Sequence, residues 1–280
     1  MTSEPQTMPA PSIAESLKEY GRGLAGGFLF SMPLLFTMEV WWAGVNATPA
    51  RLLAGLAATF ALLCAYNAYA GLRFDSGALA IAIDSVEELG LGLLTSAGAL
   101  WLLGRLTSGL SPSAALGQIV VEGLLVAVGV SVGTAQLGGN SNEQGTPDSD
   151  RHTIGSELVL ALCGTMLIAT NVGATEEIVV LAMEVATWHL LAIMAVSLAI
   201  AALLLFNTDF VGSDRFAGGT RLDVVLGCAL TYAVALFGSA CLLWFFGRYD
   251  SVGLELAASQ TVVLALPGTL GAAAGRLLLR

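Results

Sequence analysis

Charged side chains are scarce in this sequence. Only 11% of its 280 residues are Asp, Glu, Lys or Arg, whereas 56% are hydrophobic, and a soluble protein usually carries about 25% charged residues. The shortage is concentrated in long apolar runs, which predicts an integral membrane protein. Basic residues are the scarcer kind, with 11 Lys and Arg against 21 Asp and Glu. That balance argues against nucleic acid as a partner and against tight electrostatic docking on anionic lipid.

Histidine and paired cysteine are also lacking. The chain has two histidines, and its four cysteines fall singly within apolar runs, without CxxC spacing. A zinc or copper site is therefore not expected, and no cofactor is predicted. HExxH, GxSxG and P-loop motifs are absent, so the sequence does not predict an enzyme.

The polar segments divide the chain. The first 17 residues are rich in Pro, Ser, Thr and Glu and have no basic segment or cleavage site, so we expect no removable signal peptide. A disordered tail is predicted for residues 1–20 and a polar cytoplasmic linker for 138–156. Between and after them lie two predicted four-helix repeats, 21–137 and 157–280.

Windows of about 20 apolar residues, the length that crosses a bilayer, predict eight spans. They are 24–44, 52–71, 79–104, 113–137, 160–186, 189–206, 222–247 and 254–275. Near Thr187 the chain turns with almost no polar loop, and a seven-span alternative stays open there.

Basic residues and tryptophans predict the orientation. With the N-terminus inside, eight Lys and Arg lie on the inner side, and Arg51, Arg105 and Arg248 lie on the outer side. Cytoplasmic loops carry more basic residues, so both termini are predicted to be cytoplasmic. All five tryptophans then lie at the outer ends of spans, as an aromatic belt requires. This pattern favours eight spans over seven.

Short motifs recur between the two halves in the same order, which predicts parallel repeats. The matches are Met38-Glu39-Val40 with Met183-Glu184-Val185 (offset 145), Trp101 and Arg105 with Trp244 and Arg248 (offset 143), and Gln118, Gly129 and Gly133 with Gln260, Gly271 and Gly275 (offset 142). The two glycine pairs predict close helix packing. Pro33 and Pro267 are predicted to bend their spans.

Eight carboxylates lie within the apolar spans or at their rims, with no Lys or Arg among them. They are Glu39, Asp84, Glu87, Glu88, Glu122, Glu176, Glu177 and Glu184. Each costs roughly 2.5–3.5 kcal/mol at the bilayer centre on insertion scales. Such groups are protonated, line water or hold cations. Carboxylates with Asn171 and backbone carbonyls form a hard-oxygen site for protons, Na⁺, Ca²⁺ or Mg²⁺.

The fifth span holds two adjacent carboxylates deep in an apolar run. Asn171 and Gly173 are poor helix formers and predict an unwound point. A half-helix beginning at Thr175 would carry Glu176 and Glu177 in its first turn, where the helix dipole favours negative charge.

Simpler interpretations of these acids stay open. Asp84, Glu87 and Glu88 fit the solvated start of the third span, and Glu39 fits the membrane interface beside Trp41. A protonated carboxyl group that only packs against a carbonyl is a further alternative.

Two segments are distinctive: Phe30-Ser-Met-Pro-Leu-Leu-Phe-Thr-Met-Glu39-Val-Trp-Trp42 and Asn171-Val-Gly-Ala-Thr-Glu-Glu177. They resemble the marker segments of a bacterial family of integral membrane proteins of unknown function. The resemblance covers nearly the whole chain after residue 20. It implies a membrane location and the importance of Glu39, Glu176 and Glu177, but no activity. The family often has proline before Thr-Glu-Glu, where this chain has Ala174.

The sequence therefore predicts an all-α membrane protein of the bacterial inner (plasma) membrane. The leading hypothesis for its function is a cation transporter or channel that uses Glu176, Glu177, Glu39 and Glu184. The other acids would line the path of the cation. Two alternatives stay open: a non-transporting scaffold or regulatory subunit, and a membrane enzyme acting on lipid or quinone. Membrane lipid and a small cation are the expected partners, and a homo-oligomer stays open.

Overall fold

The computed structural model describes residues 13–70, 77–137, 154–206 and 221–279. Within these ranges the chain forms α-helices joined by turns, with no strand, which confirms the predicted all-α class. The ten helices of this part are α1 (Ile13–Leu35), α2 (Met38–Asn46), α3 (Pro49–Tyr69), α4 (Ala78–Leu102), α5 (Pro112–Gln136), α6 (Ile154–Gly173), α7 (Glu177–Glu184), α8 (Thr187–Phe206), α9 (Arg221–Phe245) and α10 (Leu254–Leu278).

Several helices can cross a membrane. Six of them (α3, α5, α6, α8, α9 and α10) are long and apolar enough, and the number rises to seven if α1 and α2 form one bent span. The remaining long helix, α4, has 25 residues but carries Asp84, Glu87 and Glu88 in its first half. A multi-pass membrane protein follows from these helices, while the eight-span topology stays a prediction.

Two of the predicted spans are broken. Pro33 lies near the end of α1, and α2 leaves α1 at an angle of 89°, because proline removes a backbone donor and clashes with the preceding turn. The second break separates Gly173, the end of α6, from Glu177, the start of α7. It confirms the predicted unwound point, and it forms with Ala174 in place of proline.

Two helices, α5 and α10, each lie at the centre of a group of helices. α5 contacts α1, α2, α3 and α4, whereas α10 contacts α6, α7, α8 and α9. The most apolar stretch of α5 is 78% buried and that of α10 is 61% buried, against 17% for α8. The outer helices therefore present apolar surface outward, as lipid contact requires.

Each central helix is crossed at glycine. A Cβ atom added to Gly26 of α1 would lie 2.6 Å from the Gly129 carbonyl oxygen of α5. A Cβ atom added to Gly164 of α6 would lie 2.9 Å from Gly275 Cα of α10. Only glycine fits at such distances, so these crossings confirm the close helix packing that the sequence predicts.

The helices α1–α5 and the helices α6–α10 contact each other less than the helices within each group do. α6 touches α1, α3 and α5. At the opposite end of the bundle from Ile154, Arg51 of α3 forms a two-bond ion pair with Asp250, which follows α9. The bond from Arg51 Nη1 to Asp250 Oδ2 is 2.7 Å long.

Some predicted boundaries differ from the observed ones. α1 begins at Ile13, inside the predicted tail of residues 1–20, because the helix continues from its packed segment around Gly23 toward the N-terminus. Residues 1–12 and 138–153 lie outside the described residues, so most of the predicted linker does too. A helix does end just before Thr187, as predicted: α7 ends at Glu184 and α8 begins at Thr187.

Candidate functional site

The acidic cavity lies at the end of the bundle where α1 and α4 begin and α3 and α5 end. It is lined by Glu19, Tyr20, Asn67, Asp84, Glu87, Glu88, Leu91, Val130 and Thr134. Its volume is about 40 Å³. One water needs about 10–15 Å³ of such space, so the acidic cavity has room for roughly three waters.

Four carboxylates meet at the acidic cavity. Asp84, Glu87 and Glu88 are spaced i, i+3 and i+4 along α4, which places them on one face of the helix. Glu19 joins them from α1. Within the described part of the chain, the residues that line the acidic cavity include no Lys, Arg or His. The structure therefore brings the predicted trio together and adds a fourth carboxylate.

The Asn67 side chain fixes one wall of the acidic cavity. It is 6% exposed, and its Nδ2 donates a 2.8 Å hydrogen bond to Glu88 Oε2 and a 3.1 Å bond to Ser85 Oγ. Ser131 Oγ of α5 donates to Asn67 Oδ1 at 3.5 Å. These bonds connect Glu88 of α4 to α3 and α5 through one amide, since a buried amide with defined partners holds one rotamer.

Sequence reasoning missed Glu19 and Asn67. Glu19 was assigned to a disordered tail, although Gly23 and Gly26 follow it within one continuous helix. Asn67 is the only asparagine within the predicted second span. A lone amide in an apolar span is a usable signal, since polar groups there need partners.

Glu122 lies deep in α5, away from the acidic cavity. Its side chain is 0% exposed, and neither carboxyl oxygen has a hydrogen-bond partner in the described part of the chain. Gln118, one turn earlier, is also buried with its Oε1 unpartnered. Glu122 precedes Thr134 by twelve residues, which is about 18 Å along a helix.

The acids predicted to be most important lie around the two breaks. Glu39 is half-buried in the first turn of α2, and Glu177 is exposed in the first turn of α7. Glu176 and Glu184 are exposed too. Across the described ranges, no group of three or more His, Cys, Asp or Glu side chains is arranged to hold a metal ion. The structure therefore does not gather these four glutamates into such a cluster.

Arginines reach the breaks from distant parts of the chain. Arg248 donates a hydrogen bond from Nη2 to the carbonyl oxygen of Ala174, and it interacts electrostatically with Glu177. Arg105 lies over the ring of Trp41, with 4.0 Å between the guanidinium carbon and the ring centroid. The carboxylates have no basic neighbours along the sequence, but the fold supplies one beside Glu177.

Asn171 has a local role in the structure. Its Nδ2 donates a 2.7 Å hydrogen bond to the carbonyl oxygen of Leu167 within α6. Its Oδ1 is buried and has no partner among the described residues. The predicted contribution of Asn171 to an ion site therefore rests on this oxygen alone.

Comparisons with known proteins identify the family. A family model described as "Putative integral membrane protein (DUF2391)" matches residues 19–279. Comparison with curated proteins gives no match, and comparison with solved structures gives none either. Because the family model covers nearly the whole chain, this protein belongs to that family of integral membrane proteins.

Proposed function

We propose that this protein binds small cations within the membrane and moves them across it, as a transporter or a channel. The acidic cavity is the observation that supports the proposal. Four carboxylates and a buried amide line a space for roughly three waters. Such a surface repels anions and attracts cations. Protons, Na⁺ and Ca²⁺ are the inorganic candidates.

Acids at other levels of the bundle support movement rather than binding alone. Glu122 lies about 18 Å from the level of Thr134 by helix rise, and Glu39 and Glu177 follow the two breaks. Intramembrane carboxylates spaced in this way are typical of proton and cation pathways. Broken helices also free backbone carbonyls that transporters use as ligands.

Two parallel four-helix repeats form part of the proposal. The bounds of α4 and α9 differ by 143 residues at both ends, and those of α5 and α10 differ by 142. The glycine crossings match at an offset of 138 for α1 and α6, since Gly26 corresponds to Gly164. This offset pairs Glu39 with Glu177, so the helices do not follow the Met-Glu-Val match that pairs Glu39 with Glu184.

The proposed topology places eight spans in the bacterial inner membrane with both termini in the cytoplasm. The acidic cavity would then open toward the cytoplasm, and the two breaks would lie toward the outer surface. The distribution of basic residues supports this orientation.

Flux in proteoliposomes tests the function. The purified protein should carry protons, Na⁺, Ca²⁺ or an organic cation, and Glu88→Gln should abolish flux. Glu255→Gln is the matched control, because Glu255 is an exposed carboxylate in the first turn of α10. Absence of flux for every cation, or flux unchanged by Glu88→Gln, would reject the proposal. A non-transporting scaffold or regulatory subunit, or a membrane enzyme acting on lipid or quinone, would then be the remaining hypotheses.

A further inference from the structure

Glu122 of α5 lies on the helix face that α1 and α2 cover. A Cβ atom added to Gly26 of α1 would lie 3.0 Å from the backbone nitrogen of Gly133. A Cβ atom added to Gly44 of α2 would lie 2.6 Å from Gln118 Cα. Glu122 precedes Gly133 by about three helical turns and follows Gln118 by about one. It therefore lies between the two crossings, on the same face of α5, at the level of the break between α1 and α2.

Acceptor atoms on this face of α5 lack donors. Glu122 is 0% exposed and Gln118 is 2% exposed. Neither carboxyl oxygen of Glu122, nor Oε1 of Gln118, has a hydrogen-bond partner in the described part of the chain. Carboxylate and amide oxygens only accept hydrogen bonds, whereas a protonated carboxyl group also donates one. A proton on Glu122 would therefore supply the donor that these oxygens lack.

The titratable groups of α1 and α2 lie at other levels or on another face. On α2 the single one is Glu39, five residues before Gly44. That spacing turns Glu39 about 140° away from the face that Gly44 presents to α5. Those of α1 all precede its crossing at Gly26, and they are Glu15, Lys18, Glu19, Tyr20 and Arg22.

The other helices beside α5 bring no charge to Glu122 either. Arg51 of α3 and Glu157 of α6 are held in ion pairs. The acids of α4, which are Asp84, Glu87 and Glu88, line the acidic cavity. The remaining titratable groups are of types that are ordinarily uncharged at neutral pH, namely Cys64, Tyr66, Tyr69 and Cys163. Among the described residues, burial alone acts on the charge of Glu122.

We propose that Glu122 binds an exchangeable proton and that the proton is a cation the protein moves. Uptake of a proton from water gives a neutral carboxyl group on Glu122, and release to water leaves the carboxylate. The neutral form fits the structure, because an ionised carboxylate without a partner is costly to bury. Gln118 Oε1 lies one turn away, where it can accept a hydrogen bond from the protonated group. This inference rests on the proposed cation function and names the ion.

A metal ion fits this place less well than a proton does. Ca²⁺ takes about six to eight oxygen ligands. The unpartnered side-chain oxygens on this face are the two of Glu122 and Oε1 of Gln118. They belong to one carboxyl group and one amide, whereas a proton needs a single oxygen and no cage around it.

Infrared spectroscopy of the full-length protein in lipid vesicles tests the bound proton. A protonated carboxyl group has a carbonyl stretching band that a carboxylate lacks. At neutral pH the unmodified protein should show a band that Glu122→Gln loses. In D₂O this band should shift, because an exchangeable O–H becomes O–D. Glu255→Gln is the matched control and should keep the band, since Glu255 is exposed in the first turn of α10.

Two infrared outcomes would overturn the inference. Equal spectra for the unmodified protein and Glu122→Gln would mean that Glu122 carries no proton. A band of Glu122 that does not shift in D₂O would mean that its proton is locked in place and serves only packing. Glu122→Asp keeps a carboxyl group and should keep an exchangeable band, which separates loss of the acid from the effect of substitution at this position.

Proton flux into proteoliposomes, read by a pH-sensitive dye inside the vesicles, tests the movement. Glu122→Gln should abolish proton flux, and Glu122→Asp should restore part of it. Flux of Na⁺ or Ca²⁺ that stops in Glu88→Gln but is unchanged in Glu122→Gln, without proton flux, would keep the proposed function and overturn this inference. Absence of flux for every cation would reject the proposed function, and the infrared band would still decide whether Glu122 binds a proton.

Discussion

Asn67 of α3 donates a 2.8 Å hydrogen bond to Glu88 of α4, which joins two helices at the wall of the acidic cavity. The same amide also bonds to Ser85. The proposed repeats, with an offset of 138 from α3 to α8, pair Asn67 with Leu205, which is fully buried among apolar residues.

Asn67→Leu should destabilise the protein and weaken cation binding. A buried carboxylate that loses its hydrogen-bond donor costs about 1–3 kcal/mol, and Glu88 would lose its orientation. Thermal unfolding in detergent and a binding titration measure the two effects. Asn46→Ala is the control, because Asn46 bonds only to the Trp42 carbonyl oxygen at an exposed position. Equal unfolding temperatures for the two variants would contradict the role assigned to Asn67.

Glu122→Leu should stabilise the protein. Glu122 is fully buried, and neither of its oxygens has a partner among the described residues. The proposed repeats pair it with Leu264, which is also 0% exposed. Replacing an unsatisfied buried polar group by an apolar one of similar size should gain about 1–3 kcal/mol. Glu122→Gln keeps a polar group and should gain nothing. A loss of stability in Glu122→Leu would mean that a water or another group satisfies the carboxyl group.

Gly26→Ala and Gly164→Ala should each destabilise the protein by about 1–3 kcal/mol or more, because their Cβ atoms would overlap the backbone of the facing central helix. Gly90→Ala and Gly98→Ala are matched controls, since a Cβ atom at either position meets nothing within 4 Å. Alanine is the better helix former by about 1 kcal/mol in water, so the controls should be neutral or stabilising. Chemical unfolding in mild detergent measures all four variants. Tolerance of alanine at Gly164 would contradict the observed crossing.

Asp250→Asn should destabilise the protein at neutral pH and make no difference at strongly acidic pH. The hydrogen bond from Arg51 lowers the pKa of Asp250 below its usual 3.8. A lowered pKa in the folded state means that the stabilisation is complete above pH 3.8 and is lost as the pH falls through the folded-state value. The effect should be small and salt-sensitive, since the Asp250 side chain is 58% exposed. Unfolding temperatures of both proteins from neutral to strongly acidic pH measure it.

Thr107→Cys, in a protein without its native cysteines, should react with a membrane-impermeant maleimide from outside intact cells. Thr107 lies between α4 and α5, on the side predicted to be external. Gly77→Cys at the start of α4 is the control and should react only after the membrane is opened, because it is predicted to be cytoplasmic. The reverse pattern would invert the proposed topology.

Much of the fold could be predicted from local sequence. Pro33 predicted the first helix break, and Asn171 with Gly173 predicted the second one within a few residues. Both could be predicted because a poor helix former destabilises the helix at its own position. The Gly129 and Gly133 pair predicted close packing, because small residues leave no side chain between two backbones. Asp84, Glu87 and Glu88 were predicted to share a helix face, since their spacing follows the helical period.

The site was less predictable, because it depends on which helices meet. Glu19 is separated from Asp84 by two other helices along the chain, and no local pattern joins them. The Met-Glu-Val match pairs Glu39 with Glu184, whereas the proposed offset of 138 pairs it with Glu177, because three common residues and a glycine crossing are different local signals. The position of Arg248 near Glu177 could likewise not be predicted, because the two residues are far apart in the sequence.

The sequence by itself determined the membrane location, the helical class and the positions of the breaks, because hydrophobicity and helix-breaking residues act locally. Only the tertiary structure decided which charges meet. It placed four carboxylates around one cavity, and it placed Arg276 beside Glu157. The physical reason is that electrostatic partners are set by helix packing, and packing brings together residues more than a hundred positions apart.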